Sequence, residues 1–345
     1  MLRNSLLFTP ASIGPLTLRN RTIRAAAFEG MCIDNGPSQA LFNYHTAVAA
    51  GGVGMTTVAY AAIARSGLSF PTQLWMRPDI VPGLRHLTDG IHKEGAAASI
   101  QMGHCGNMSH RKICGCMPVS ASSGFNMYSP TFVRAMKKTE ILQMVKDFGK
   151  ATELARESGF DAVEIHAGHG YLLSQFMSQW LNRRKDEYGG SFENRLRFTS
   201  QAIEEVMEVA TRHNIAVLVK MNMRDGFRGG MELDESLEVA RLLEKLGVNA
   251  LVLSGGYVSR APMYVMRGAM PIRTLTYYMP WNYVKVGVRL VGRLMIPSVP
   301  FKEGYFLEDA REFRKAVKIP LVCLGGLFSR CIMEQALQDG FEFIG

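Results

Sequence analysis

Cysteine is sparse in this 345-residue chain: Cys32, Cys105, Cys114, Cys116, Cys323 and Cys331 are all there are, unevenly spaced. So few thiols in so long a chain exclude a disulfide-built scaffold and fit a reducing, cytoplasmic setting. No Cys-x-x-Cys pair occurs. Cys105, Cys114 and Cys116 have no evident fourth ligand, so they are read as plain thiols rather than a metal site. A run of about 18 uncharged apolar residues is also missing, and the opening Met1-Leu-Arg-Asn-Ser-Leu-Leu-Phe-Thr-Pro10 has no long apolar segment. Neither export nor membrane spanning is expected. There are no low-complexity tracts and no internal repeats. Basic residues outnumber acidic ones 39 to 30, a net +9. They are scattered through amphipathic segments, and no zinc-finger, RRM or basic-zipper pattern accompanies them, so a nucleic-acid partner is not expected. A phosphate-bearing cofactor uses the same charge.

What is present is a core: 47% of residues are hydrophobic and 20% charged. One domain, 1–345, is the default, since single (β/α)8 barrels run from about 200 to over 400 residues. Short β-type runs alternate with longer amphipathic segments from end to end, the pattern of βα units around a parallel sheet. Strands are expected at 22–28, 53–61, 97–102, 161–166, 216–222, 250–254, 320–324 and 342–344, with helices at 39–50, 80–94, 139–158, 191–213, 234–246, 307–317 and 329–339. This is an α/β (β/α)8 TIM barrel. Ala11-Ser-Ile-Gly-Pro-Leu-Thr-Leu18 reads as two short strands across a Gly-Pro turn, a hairpin to plug the barrel floor. Long connections at 103–138, 167–190 and 255–306 follow strands three, four and six, on the face where barrel enzymes build their sites.

The densest chemistry lies at Glu164-Ile-His166-Ala-Gly-His169-Gly-Tyr171. Alternation along strand four points Val163 and Ile165 toward the helices, and Glu164 and His166 into the barrel. The same rule turns Lys220 and Asn222 of strand five and Gln101 of strand three inward. Polar groups at the inner ends of three successive strands need hydrogen-bonding partners. A polar ligand in the mouth meets that need, and a water-filled mouth of mutually satisfied side chains is the simpler alternative. Two imidazoles could bind a metal, but the helical zinc motif spaces its histidines four apart, and no third ligand is obvious. They could equally hold one oxygen of a carbonyl, nitro group or phenolate, with Tyr171 as a proton source. Gly189-Gly190-Ser191 with Asn194, Arg195 and Arg197 reads as a turn and helix start, Ser191 being the N-cap. Cys323 reads as a buried core thiol.

Several stretches together resemble the old yellow enzyme family of FMN-dependent NAD(P)H:flavin oxidoreductases, in its ene-reductase and 2,4-dienoyl-CoA reductase-like branch. They are Leu7-Phe-Thr-Pro10 with Leu16-Thr-Leu-Arg-Asn-Arg21, Ile100-Gln-Met-Gly-His-Cys-Gly106, His166 to Tyr171, and Asp186-Glu-Tyr-Gly-Gly190 to Arg197. The resemblance runs from residue 7 to 345 in family order. It implies FMN at the C-terminal mouth, contacted by the backbone of Ala25, Ala26, Ala27 and Phe28, with Tyr60 beside it. Gln101 would bond the pyrimidine edge, and Lys220 would sit near N1 and O2, where many relatives have arginine. Gly325, Gly326 and Gly345 match the phosphate loops. Ala27 and Phe28 replace the threonine or cysteine that relatives often place near the flavin. The implied activity is reduction of an electron-poor small-molecule alkene, NAD(P)H being the electron donor. His166 and His169 would clamp the substrate oxygen, and Tyr171 would be the acid. Relatives continue beyond the eighth strand with a basic residue and a final helix. The sequence stops at Gly345, and a barrel of this length is expected to hold FMN weakly. Two alternatives stand beside this reading: a catalytically weak barrel that binds a flavin or a partner, and a metal-dependent barrel lyase using His166 and His169. A homo-oligomer is left open, with Tyr257, Tyr264, Tyr277, Tyr278, Trp281 and Tyr283 as a pocket wall or an oligomer contact.

Overall fold

The computed structural model describes residues 5–127, 129–277 and 282–345. Eight parallel strands form the barrel: β1 Ile23–Arg24, β2 Met55–Ala62, β3 Ala97–Gly103, β4 Ala162–His166, β5 Ala216–Asn222, β6 Ala250–Ser254, β7 Leu321–Cys323 and β8 Phe343–Ile344. They pair in chain order. A parallel bridge between Thr22 and Ile344 closes the ring, and the Ile344 amide donates to the Arg21 carbonyl at 2.9 Å. The (β/α)8 architecture is the one expected.

Seven helices follow the strands as the periodicity predicts: α1 Gln39–Ala50, α2 Val81–Lys93, α3 Lys138–Glu157, α4 Phe192–His213, α5 Leu233–Lys245, α6 Leu307–Ala316 and α7 Arg330–Gln338. Hydroxyl caps fix three of the starts. Ser38, Ser191 and Ser329 each accept the amide three residues on, satisfying a donor the helix itself cannot. α4 ends on Asn214 in the left-handed region, a geometry asparagine tolerates better than most residues. No described helix is long and apolar enough to cross a membrane.

Alternation divides the core into two shells. Ile100, Met102, Val163, Ile165, Val217, Val219 and Met221 face outward and pack with helix residues such as Phe148, Ile203 and Leu243. Each such side chain, fully buried, contributes about 1.5–3 kcal/mol. Inside the barrel, Met55, Ala162, Leu218, Val252, Val322 and Phe343 make a separate apolar cluster with Ile13 and Leu18. Those last two come from the antiparallel hairpin of Ala11–Ile13 and Leu16–Leu18. The hairpin is therefore the floor.

The first strand is shorter than expected, because the chain leaves the sheet after Arg24. The Glu29 carboxylate reaches back to accept the Ala59 amide at 3.1 and 3.2 Å, and the Arg24 guanidinium binds Glu29 at 2.7 Å and the Thr57 carbonyl at 2.6 Å. Side chains thus satisfy backbone groups of β2 that a longer strand would have paired.

The long connections carry structure of their own. After β3 comes a small sheet of Val119–Ser120, Gly124–Asn126 and Thr131–Ala135; after β4, the helix Leu172–Met177; after β6, the helices Pro262–Met266, Ile272–Tyr277 and Asn282–Met295. Of the aromatic residues in the last connection, Tyr257 is fully buried against Trp180 and Phe227, and Tyr264 packs on Phe306. Both are core. Tyr277 is exposed, while Tyr278, Trp281 and the Tyr283 side chain lie outside the described residues. The stretch around Gly190 is structural, as expected. Arg195 donates to Glu235 at 2.7 Å, and Arg197 to the Glu187 carbonyl at 2.8 Å.

Candidate active site

Immediately above the apolar floor the interior turns polar. Gln101 and Glu164 are direct neighbours across the β3–β4 ladder, and the Gln101 amide donates to Glu164 at 2.6 Å. The Lys220 ammonium lies 3.1 Å from the same carboxylate oxygen, both side chains being 2% exposed. A further Lys220 bond, at 3.1 Å, goes to the Ala26 carbonyl. An ammonium has three donors and a primary amide has two donors and an acceptor, so Lys220 and Gln101 each keep capacity for a ligand lying over them. Glu164 is the member that sequence reasoning turned inward but gave no role. As a result, Lys220 meets the mouth as half of a neutral pair rather than as a free cation.

His166 ends β4 on the same face and is buried. Burial, and after it the neighbouring His169 and Lys220, hold its pKa well below the ordinary imidazole value. The Gly168 amide approaches Nδ1 at 3.4 Å, which favours the tautomer with the proton on Nε2. His169 follows in the left-handed region at φ 57°, a conformation costly for a residue with a Cβ. Three contacts impose it. Its amide donates to Asn222 Oδ1 at 2.9 Å, its carbonyl accepts from the Val258 amide at 3.1 Å, and Nε2 pairs with Ser254 Oγ at 2.8 Å. Burial and Lys220 push its pKa down to about 3. Both rings are therefore neutral at pH 7. Asn222 and Ser254 are the last residues of β5 and β6. The inward alternation of β5 signalled the first, but no local motif signalled the second.

Tyr171 stands over this pair, its ring centroid 4.4 Å from that of His166 and 5.1 Å from that of Tyr60. Tyr60 hydrogen-bonds to Ser69 at 2.9 Å and is kept protonated by burial. Ala26 and Val258 complete the wall around Tyr60, Cys105 and Met108. The structure thus brings His166, His169, Tyr171, Tyr60, Gln101, Lys220 and Ala26 together. Ala27 and Phe28 lie farther out, both exposed, with Phe28 stacked on Phe70 at 4.7 Å.

The expected phosphate glycines line the ends of β7 and β8. The Gly325 and Gly326 carbonyls accept from Tyr305 and Gly304, and both residues have positive φ. A Cβ on Gly345 would meet Leu324 at 2.5 Å and Ala25 at 3.4 Å, so side-chain packing excludes one there, and its amide donates to the Cys323 carbonyl at 3.0 Å. The spare donors of Lys220 and Gln101 suit a flat, hydrogen-bonding ring lying over them. His166 and His169 gain no third ligand: among the described residues, no group of three or more His, Cys, Asp or Glu could hold a metal.

Residues 6–294 match the NADH:flavin oxidoreductase / NADH oxidase family. The chain belongs to that family. It is an FMN-dependent oxidoreductase of the old yellow enzyme group, with NAD(P)H as electron donor. The 4,4'-dithiodibutanoate disulfide reductase of Rhodococcus erythropolis is 41% identical over 339 residues, covering 98% of this chain and 84% of that protein. The old yellow enzyme homologue from Zymomonas mobilis shares the fold, with a TM-score of 0.76 at 24% identity over 98% of this chain and 87% of that one. So does a 2-naphthoyl-CoA reductase, with a TM-score of 0.84 at 22% identity over 98% of this chain. Against that larger enzyme the present oxidoreductase spans 49% of the length. The polar layer described above fits FMN.

Proposed function

We propose that the oxidoreductase reduces an electron-poor alkene such as an enone, with His166 and His169 orienting the activating oxygen and Tyr171 delivering the proton to the α-carbon. FMN, when bound, supplies the hydride chemistry. Gln101, Lys220 and the backbone of Ala25, Ala26, Ala27 and Phe28 would hold its ring, with Tyr60 beside it and Gly325, Gly326 and Gly345 at its phosphate. The observation that carries the reading is the tight group of Tyr171, His166 and Tyr60 above the polar layer, with both imidazoles neutral. A neutral imidazole donates a hydrogen bond to an oxygen on which charge develops without giving up its proton. That leaves Tyr171 as the acid. Tyr60, buried where Tyr171 is half-buried, serves as wall.

The test separates the two half-reactions. In Tyr171→Phe, anaerobic stopped-flow should show reduction by NAD(P)H nearly unchanged and reoxidation by 2-cyclohexenone slowed by about 10² or more. Equal loss in both steps rejects the role. A second acceptor class is favoured by the Rhodococcus relative, whose name is that of a disulfide reductase. An acceptor disulfide would be cleaved to two thiols. Comparing turnover of an enone with that of a dithio-dicarboxylate under one NAD(P)H concentration decides between them, and the disulfide step should not respond to Tyr171→Phe.

A further inference from the structure

The long connection after β3 ends a short helix, Arg111–Cys114, on the sequence Cys114-Gly115-Cys116. Gly115 lies in the left-handed region at φ 75°, and this tight reversal brings the two sulfurs to 3.8 Å. The Cys114 thiol points at the Cys116 carbonyl, 3.2 Å away. Cys114 is buried and Cys116 exposed, so one sulfur can be reached from solvent and the other waits behind it. Nothing at the flavin site uses either.

The surroundings are cationic. A Cβ on Gly115 would lie 3.6 Å from the Arg65 guanidinium. Arg111 and Lys112 are exposed on the same short helix, and Arg134, whose guanidinium is ion-paired with Glu140, acts on Cys116. From residue 95 to residue 139 the sequence has no aspartate or glutamate. The basic residues of the chain are scattered, but the acidic ones are not, and this connection is one place they avoid. Burial and the Cys114 sulfur push the Cys116 thiol up to about 11, against the pull of Arg134 and Arg65, so the attacking thiolate is a minor species at pH 7 and exchange should quicken as pH rises toward 11.

We propose that Cys114 and Cys116 are a redox-active dithiol that reduces small anionic disulfides by thiol–disulfide exchange and ends as an intramolecular disulfide. The Cys116 thiolate attacks one sulfur of the disulfide R–S–S–R and expels RS⁻, leaving Cys116 in a mixed disulfide. The Cys114 thiolate then attacks the Cys116 sulfur and expels the second RS⁻. The two cysteine protons end on the two RSH products, so the protein loses two electrons and the substrate gains two. Closing the pair requires the sulfurs to move from 3.8 Å to about 2.0 Å, a shift within reach of side-chain rotation about a glycine hinge.

The holoprotein tests this without NAD(P)H, so the outcome is independent of which acceptor the flavin site reduces. In a Cys331→Ser background, which removes another exposed thiol, glutathione disulfide should release two glutathione thiols per chain. Non-reducing peptide mapping should then find Cys114 joined to Cys116. Cys114→Ser should stop at a mixed disulfide on Cys116, with one thiol released. At low salt the anionic glutathione disulfide should react roughly tenfold faster than cationic cystamine, and the gap should close at high salt. Full alkylation of both cysteines after exposure, or a wild-type protein that stops at the mixed disulfide as Cys114→Ser does, overturns the dithiol. Equal rates for the two disulfides at low salt overturn the preference for anions.

Discussion

Glu164→Gln isolates the charge pair under the flavin site. Lys220 and Glu164 are 3.1 Å apart and 2% exposed. At an effective dielectric near 20, such a pair attracts by about 5 kcal/mol. The amide keeps the size of the side chain, an acceptor for Lys220 and a partner for Gln101, but not the charge. Lys220 is then a buried cation facing only dipoles, among them the Ala26 carbonyl. Removing one partner of a buried pair typically costs about 3–5 kcal/mol, and the retained hydrogen bonds argue for about 3. Lys220→Met in the same background deletes the stranded charge, so the double variant should recover about 2 kcal/mol or more relative to the sum of the singles. Urea unfolding of the wild type, both singles and the double at one fixed FMN concentration measures all four corners. A Glu164→Gln loss below about 1 kcal/mol, or strict additivity in the cycle, would refute the claim that Lys220 depends on Glu164.

Other expectations follow from the same geometry. Because His166, His169 and His104 all have pKa values depressed by burial, the last two to about 3, the unfolded chain binds protons that the folded one refuses. The stability these neutral rings confer should be complete above about pH 6.5 and fall as pH drops toward 3; urea midpoints at pH 7, 5 and 4 check the sign, and no decline would contradict it. In Ser254→Ala, the 2.8 Å bond that orients His169 is lost. A bond of about 1 kcal/mol predicts an acceptor KM raised about fivefold, with reduction by NAD(P)H untouched. Gly170→Ala places a Cβ 2.4 Å from the Tyr257 ring at φ 79°, and thermal unfolding should register a loss of about 3 kcal/mol from overpacking and backbone strain together.

The sequence made the barrel legible because its signals were local. Period-two alternation in 216–222 separated Val217, Val219 and Met221 from Leu218 and Lys220, and the two core shells follow that division. Likewise, Ser191 announced the start of α4 by its own hydroxyl. What escaped detection depends on neighbours far along the chain. Glu164 was turned inward correctly, yet its meaning requires the register that sets it beside Gln101 and within reach of Lys220. Ser254 matters only because β6 ends where the His169 ring arrives. The early exit from β1 needed Glu29 to compete for the Ala59 amide, a contest that strand propensity does not register.

The hairpin that supplies Ile13 and Leu18 has a kinetic meaning as well as a packing one. With those side chains filling the interior beneath the Gln101–Glu164–Lys220 layer, the described barrel is a cup closed at its floor. We propose that electron donor and electron acceptor use the opposite, C-terminal mouth in turn, each blocking the way of the other. On that proposal the oxidised nicotinamide would have to depart before an acceptor could approach, and steady-state rates should fall at high concentrations of either reactant.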